Sequence, residues 1–103
     1  MSNQDITVEE LKQLRDGNAP FNFIDVRNED EYEEDNLGAM LLPLGELASR
    51  TGELESMKSE DIYIHCRSGA RSGQAKQYLT SLGFEKVHNV LGGIMAYRAM
   101  EEE

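Results

Sequence analysis

With 103 residues, 39% of them hydrophobic, the chain can bury one real core and has no length for a second. Ten Lys plus Arg against twenty Asp plus Glu leave a formal charge of -10. That balance argues against partners that present phosphate, whether nucleic acid or an anionic membrane surface. No run approaches the roughly 20 apolar residues of a spanning helix. No basic region followed by an apolar run opens the sequence. The single cysteine cannot close an internal disulfide. Together these features set the expectation of one domain, residues 1–103, in a reducing, cytoplasmic setting.

The predicted elements alternate. Thr7 can cap a helix from Val8 to about Asp16, with Glu10 completing a capping box and Leu11 and Leu14 forming an apolar stripe. Gly17 to Pro20 breaks it. Phe21–Val26 (F-N-F-I-D-V) is a strand, and Asn28–Asp35 a short acidic helix or turn. Met40–Leu42 is a short strand ended by Pro43. Gly45–Arg50 is helical, with a loosely helical stretch to Met57. Asp61–His65 (D-I-Y-I-H) is a β-branched and aromatic strand. A helix from Arg71 to Leu82 follows, with Ala75, Tyr78, Leu79 and Leu82 at helical spacing, and Gly83 ends it. Lys86–Leu91 is the next strand, Gly92-Gly93 a turn, and Ile94–Met100 the last helix. Strands separated by helices imply an α/β fold with parallel pairing and right-handed crossovers. Ligands in such sheets sit outside the carboxyl ends of the strands.

Cys66 falls at such an end, inside H-C-R-S-G-A-R-S-G. The unpaired N–H groups of a helix N-terminus bind anions, and Gly69 lets the preceding loop curl into a cradle. Arg67 and Arg71 add positive charge, and both influences favour thiolate, the nucleophilic form. From Ile62 to Phe84 there is no Asp or Glu, while Arg67, Arg71 and Lys76 lie there. An acidic chain that keeps its acids out of this segment points to an anionic substrate. Four residues, R-S-G-A, separate Cys66 from Arg71. Tyrosine-type phosphatases use five, a wider ring suited to phosphate oxygens. The shorter loop favours a transferred sulfur atom.

Other polar residues read as structural. Asp25 and Arg27 close a strand and suggest an ion pair, or Arg27 with Glu31. His65 points away from Cys66 by strand alternation and is rejected as its base. His88 is treated likewise. Two His and one Cys without ligand spacing predict no metal.

Three blocks now resemble the rhodanese-like domains over nearly the whole chain. F-I-D-V-R-N-E-D-E-Y, ending at Tyr32, is similar to the family's D-V-R-x-x-x-E-[FY] block. C-R-S-G-A-R-S, Cys66 to Ser72, matches its C-R-x-G-x-R-S loop. G-F-E-K-V-H-N-V-L-G-G-I-M-A-Y, Gly83 to Tyr97, resembles its closing strand, Gly-Gly turn and final helix. The resemblance implies a three-layer α/β fold with a five-stranded, mostly parallel sheet flanked by helices. It implies that Cys66 takes sulfane sulfur from a small anionic donor such as thiosulfate and hands it to cyanide or an external thiol, such as that of a thioredoxin-like protein. Amides from Arg67 through Ser68, Gly69, Ala70 and Arg71 to Ser72 would hold the persulfide. Arg67 and Arg71 would attract the donor, and the Ser72 hydroxyl would bond the outer sulfur. No cofactor is implied. Asp35 stands where the family usually has His, and Tyr97 where Trp is common. A persulfide carrier or interaction module charged by a partner enzyme, and a phosphatase or arsenate-type anion enzyme, are the competing functions.

Overall fold

The computed structural model of the protein describes residues 4–103. Its elements are α1 (Val8–Asp16), β1 (Asn22–Asp25), α2 (Glu29–Glu34), β2 (Met40–Leu41), α3 (Leu44–Arg50), a 3₁₀ helix (Thr51–Met57), β3 (Asp61–His65), α4 (Ala70–Ser81), β4 (Lys86–Asn89) and α5 (Gly93–Glu101). The four strands pair in parallel in the order β2-β1-β3-β4, with Ile24 opposite Ile64 and Ile64 opposite Asn89.

Side chains alternate across this sheet and feed two cores. Ile24, Val26, Ile62, Ile64, Cys66 and Val87 point to one face, where Leu47, Leu54, Ala75 and Leu79 from α3, the 3₁₀ helix and α4 cover them. Val8 and Leu11 of α1 meet Val90, Ile94 and Tyr97 in the other core, against Phe21 and Phe23. Helices on both faces let the parallel strands bury both sides, as such sheets require. The Thr7 capping box forms as the sequence predicts: the Glu10 N–H donates to Thr7 Oγ1 at 3.1 Å, and the Thr7 N–H donates to Glu10 Oε1 at 2.9 Å. No helix among the described residues is long and apolar enough to cross a membrane.

The resemblance implied five strands, and among the described residues four form. Ile6 makes an isolated bridge to Val90: its N–H donates to the Asn89 carbonyl at 3.0 Å, and its carbonyl accepts from Leu91 N–H at 2.8 Å. The next residue, Thr7, is already the cap of α1, so the chain turns out of the sheet before a ladder can grow. The Phe21–Val26 and Lys86–Leu91 strands are likewise shorter than expected, running Asn22–Asp25 and Lys86–Asn89.

Ile64 lies fully buried at the middle of β3. Ile64→Ala should lower the unfolding free energy by about 2–5 kcal/mol in urea denaturation, and a loss under about 1 kcal/mol would contradict this packing.

Candidate active site

Between the end of β3 at His65 and the start of α4 at Ala70, the chain crosses from strand to helix through Cys66–Gly69. Cys66 continues the alternation of Ile62 and Ile64 into the apolar layer and is only 1% exposed. Its sulfur is nevertheless surrounded by donors. The Gly69 N–H reaches Sγ at 3.1 Å, and the Ser72 Oγ lies 3.3 Å away. The amides of Ser72 and Ser68 also bond it. Gly69 adopts φ +107°, a left-handed conformation that a side chain would strain, and this turn aims its amide inward. Burial pushes the thiol pKa up. The Ser72 hydroxyl and the amides of Ser72, Gly69 and Ser68 outweigh it, so the thiol sits below its ordinary value.

The loop carbonyls point the other way. Cys66 C=O accepts from the Ile94 N–H at 2.9 Å and Arg67 C=O from the Met95 N–H at 3.1 Å. These are first-turn amides of α5, which have no partner within their own helix. Gly93 makes the approach possible: a Cβ there would fall well inside van der Waals contact of both loop carbonyls. His65 lies on the opposite side of the sheet from Cys66, its ring 5.1 Å from that of Phe23. Burial lowers its pKa, and its Nδ1–H donates to the Cys66 carbonyl at 3.3 Å. It braces the loop and does not touch the sulfur.

The arginines divide. Arg71 was expected to offer its charge to a substrate. Its Nη1 and Nη2 instead donate to Glu31 Oε1 and Oε2 at 2.7 and 2.8 Å, a two-pronged pair from α4 to α2. The segment around Cys66 is free of acids in sequence but not in space, because α2 brings one in. Arg67 is exposed and has no carboxylate partner among the described residues. Of the two pairings the sequence suggested, the Asp25–Arg27 ion pair forms, while Arg27 with Glu31 does not form between side chains, since Glu31 is taken by Arg71. Arg27 grips Asp25 through Nε at 3.1 Å and Nη2 at 2.9 Å, and caps the Asp35 carbonyl at 2.7 Å. His88 stacks on Tyr63 at 4.7 Å and contacts Asp61 at 2.7 Å and the Gln4 carbonyl, a structural tie at the far end of the sheet. Among the described residues no cluster could hold a metal ion.

A family model described as the rhodanese-like domain matches residues 7–100. The chain belongs to the rhodanese-like family. The Bacillus subtilis protein YrkF is 37% identical over 99 residues, which are 95% of this chain and 52% of that protein. The chain thus spans about half the length of that relative. The thiosulfate sulfurtransferase PspE of Escherichia coli is 33% identical over 75 residues, covering 72% of each chain. A crystal structure of a rhodanese-like domain protein from Staphylococcus aureus superposes with a TM-score of 0.79 at 32% identity, covering 92% of this chain and 90% of that one.

Against the rhodanese-like pattern, Asp35 replaces the usual His. It receives Arg98 Nη2 at 2.7 Å and Nε at 3.0 Å, tying the end of α2 to α5, and Arg98 holds its carboxyl below the usual range. Beside this tie an open cleft of about 550 Å³ runs to the loop at Arg67, lined also by Arg27, Glu31, Met95 and Arg98. Tyr97 fills its core position at 4% exposure. Sequence reasoning missed Asn89, which donates from Nδ2 to the Gly69 carbonyl at 3.2 Å and accepts from the Ser72 hydroxyl at 2.5 Å. A polar residue at the carboxyl end of the strand beside β3 was the available signal.

The Arg71 guanidinium holds the Glu31 carboxyl at about 2, against 4.5 for an ordinary glutamate. A depressed carboxyl binds its proton less well in the folded chain than in the unfolded one. Its stabilisation is therefore complete above about pH 4.5 and is lost as pH falls towards about 2. In urea titrations across that window, wild type should lose its advantage over Glu31→Gln, whereas a pH-independent difference would contradict the pair.

Proposed function

We propose that this rhodanese-like chain is a thiosulfate-type sulfurtransferase working through a persulfide on Cys66. The observation that carries the proposal is a buried sulfur ringed by the inward amides of Ser68, Gly69 and Ser72, with the thiol below its ordinary pKa. Such a ring stabilises a sulfur anion without needing a proton acceptor. Kinship with a thiosulfate sulfurtransferase supports the donor class.

The steps balance simply. The Cys66 thiolate attacks the sulfane sulfur of thiosulfate, a new S–S bond forms, and the bond to the sulfonate sulfur breaks. Sulfite leaves with that electron pair and the cysteine becomes a persulfide anion. Cyanide or an external thiolate then attacks the outer sulfur, the S–S bond breaks, and Cys66 returns to thiolate. The chain has no second cysteine to act as acceptor, so the acceptor comes from outside. Arg67, which lines the cleft and has no carboxylate partner among the described residues, would meet the donor's anionic end. A thiol kept ready in this form suits a reducing compartment such as the cytoplasm.

A second function, a persulfide carrier charged by a partner enzyme, draws on the 1% exposure of Cys66, which limits small-molecule access. Slow thiosulfate turnover alongside rapid loading by such an enzyme would select it.

Treatment with thiosulfate should add the mass of one sulfur atom to Cys66, and cyanide should remove it. Cys66→Ser should show neither step. Arg67→Ala should raise KM for thiosulfate several-fold and leave kcat nearly unchanged. No mass gain on the wild type, or full activity of Cys66→Ser, would overturn the assignment.

A further inference from the structure

Ser72 has one hydroxyl proton and two neighbours that can accept it: Cys66 Sγ at 3.3 Å and Asn89 Oδ1 at 2.5 Å. The orientation of the Asn89 amide is not arbitrary. Its Nδ2 faces the Gly69 carbonyl at 3.2 Å, which can only accept, so Oδ1 is the atom presented to Ser72. The Asn89 backbone is held in turn, its N–H donating to Asp5 Oδ1 at 3.0 Å, and the carboxamide lies against Gly73 at the start of α4. Ser72 is fully buried and Asn89 nearly so, so a partner lost there is not replaced by bulk water.

We propose that Asn89 is a positioning residue for Cys66, acting through Ser72 by competing with the sulfur for the hydroxyl proton. The inference rests on the sulfur-transfer role of Cys66 but concerns the resting protein. With Cys66 protonated, its S–H donates to Ser72 Oγ and the Ser72 proton goes to Asn89 Oδ1, so every donor in the chain is used. With the sulfur ionised, the Ser72 proton turns towards it, and Asn89 Oδ1 loses its donor while facing a hydroxyl oxygen at close range. The carboxamide therefore favours the thiol and restrains ionisation. The loop amides act in the opposite direction. Asn89 sets the balance between a sheltered resting thiol and a ready thiolate.

A purely structural bracket would behave differently. Loosening the Gly69 carbonyl would let the inward amides drift from the sulfur and raise the thiol pKa. Competition for one proton gives the reverse sign and works only while Ser72 is present.

The test is a double-mutant cycle on the thiol titration, followed by thiolate absorbance and by alkylation rate against pH. Asn89→Leu, which keeps the volume, should lower the Cys66 pKa by roughly half a unit to one unit, and Asn89→Ala should move it in the same direction. In a Ser72→Ala background the same substitutions should leave the pKa where Ser72→Ala alone puts it. Circular dichroism identifies a variant that has not folded, and either folded variant suffices. An unchanged pKa, a rise, or a fall that persists without Ser72 overturns the proposal. Thiosulfate loading of the wild type is measured in parallel. If loading fails while the coupling is present, the sulfur-transfer role falls and the role of Asn89 stands.

Discussion

Around Cys66 the peptide groups are sorted by direction. The N–H groups of Ser68, Gly69 and Ser72 converge on Sγ, while the carbonyls of Cys66, Arg67 and Gly69 are received by Ile94, Met95 and Asn89 outside the ring. A sulfur anion taken out of water in an apolar layer would otherwise be strongly disfavoured. Hydrogen bonds to a charged group contribute about 1.5–3 kcal/mol each, enough in combination to offset that penalty. The sorting holds only while the carbonyls have partners elsewhere, since a carbonyl turned inward would repel the same charge.

The partners come from the β4–α5 connection, and their position depends on the far side of the sheet. The first turn of α5 can reach the loop because Gly93 has no side chain, and α5 is seated by Ile94 and Tyr97 against Val8 and Leu11 of α1. The Ile6–Val90 bridge and the Asp35–Arg98 pair fix the two ends of that unit. This chain thus builds the surroundings of Cys66 from both cores. The loop after Cys66 and the first turn of α4 contribute the amides, and the last helix supplies the donors that turn the Cys66 and Arg67 carbonyls away. Arg71 belongs to this framework, since Glu31 occupies its guanidinium and joins α4 to α2. Arg67, on the cleft, has no carboxylate partner among the described residues.

Much of this was legible in the residues. The alternation in D-I-Y-I-H put Cys66 and His65 on opposite faces, and the Thr7–Glu10 spacing gave the start of α1, because both depend on neighbours close in sequence. The glycine-containing run after Cys66 likewise marked a loop that opens a helix. What sequence alone did not yield depends on pairing across distance. Glu31 and Arg71 are forty residues apart and meet because β1 and β3 are adjacent strands. Asn89 reaches Ser72 and Gly69 only because β4 lies beside β3. Among the described residues the fifth strand implied by the resemblance does not form, and Thr7, which caps α1, cannot also extend a ladder from Ile6. Of the two influences expected to favour thiolate, the amides at the start of α4 do bear on the sulfur, whereas the Arg71 charge is shared with Glu31 on another element.

The most direct test is the titration of the Cys66 thiol in the folded wild-type protein, set against the same chain in denaturant. A folded pKa clearly below the ordinary thiol value of about 8.5, returning to it on unfolding, is the result expected if inward amides hold the sulfur anion. A folded pKa at or above that value would mean that burial prevails over the donors, and the account of the site would fail.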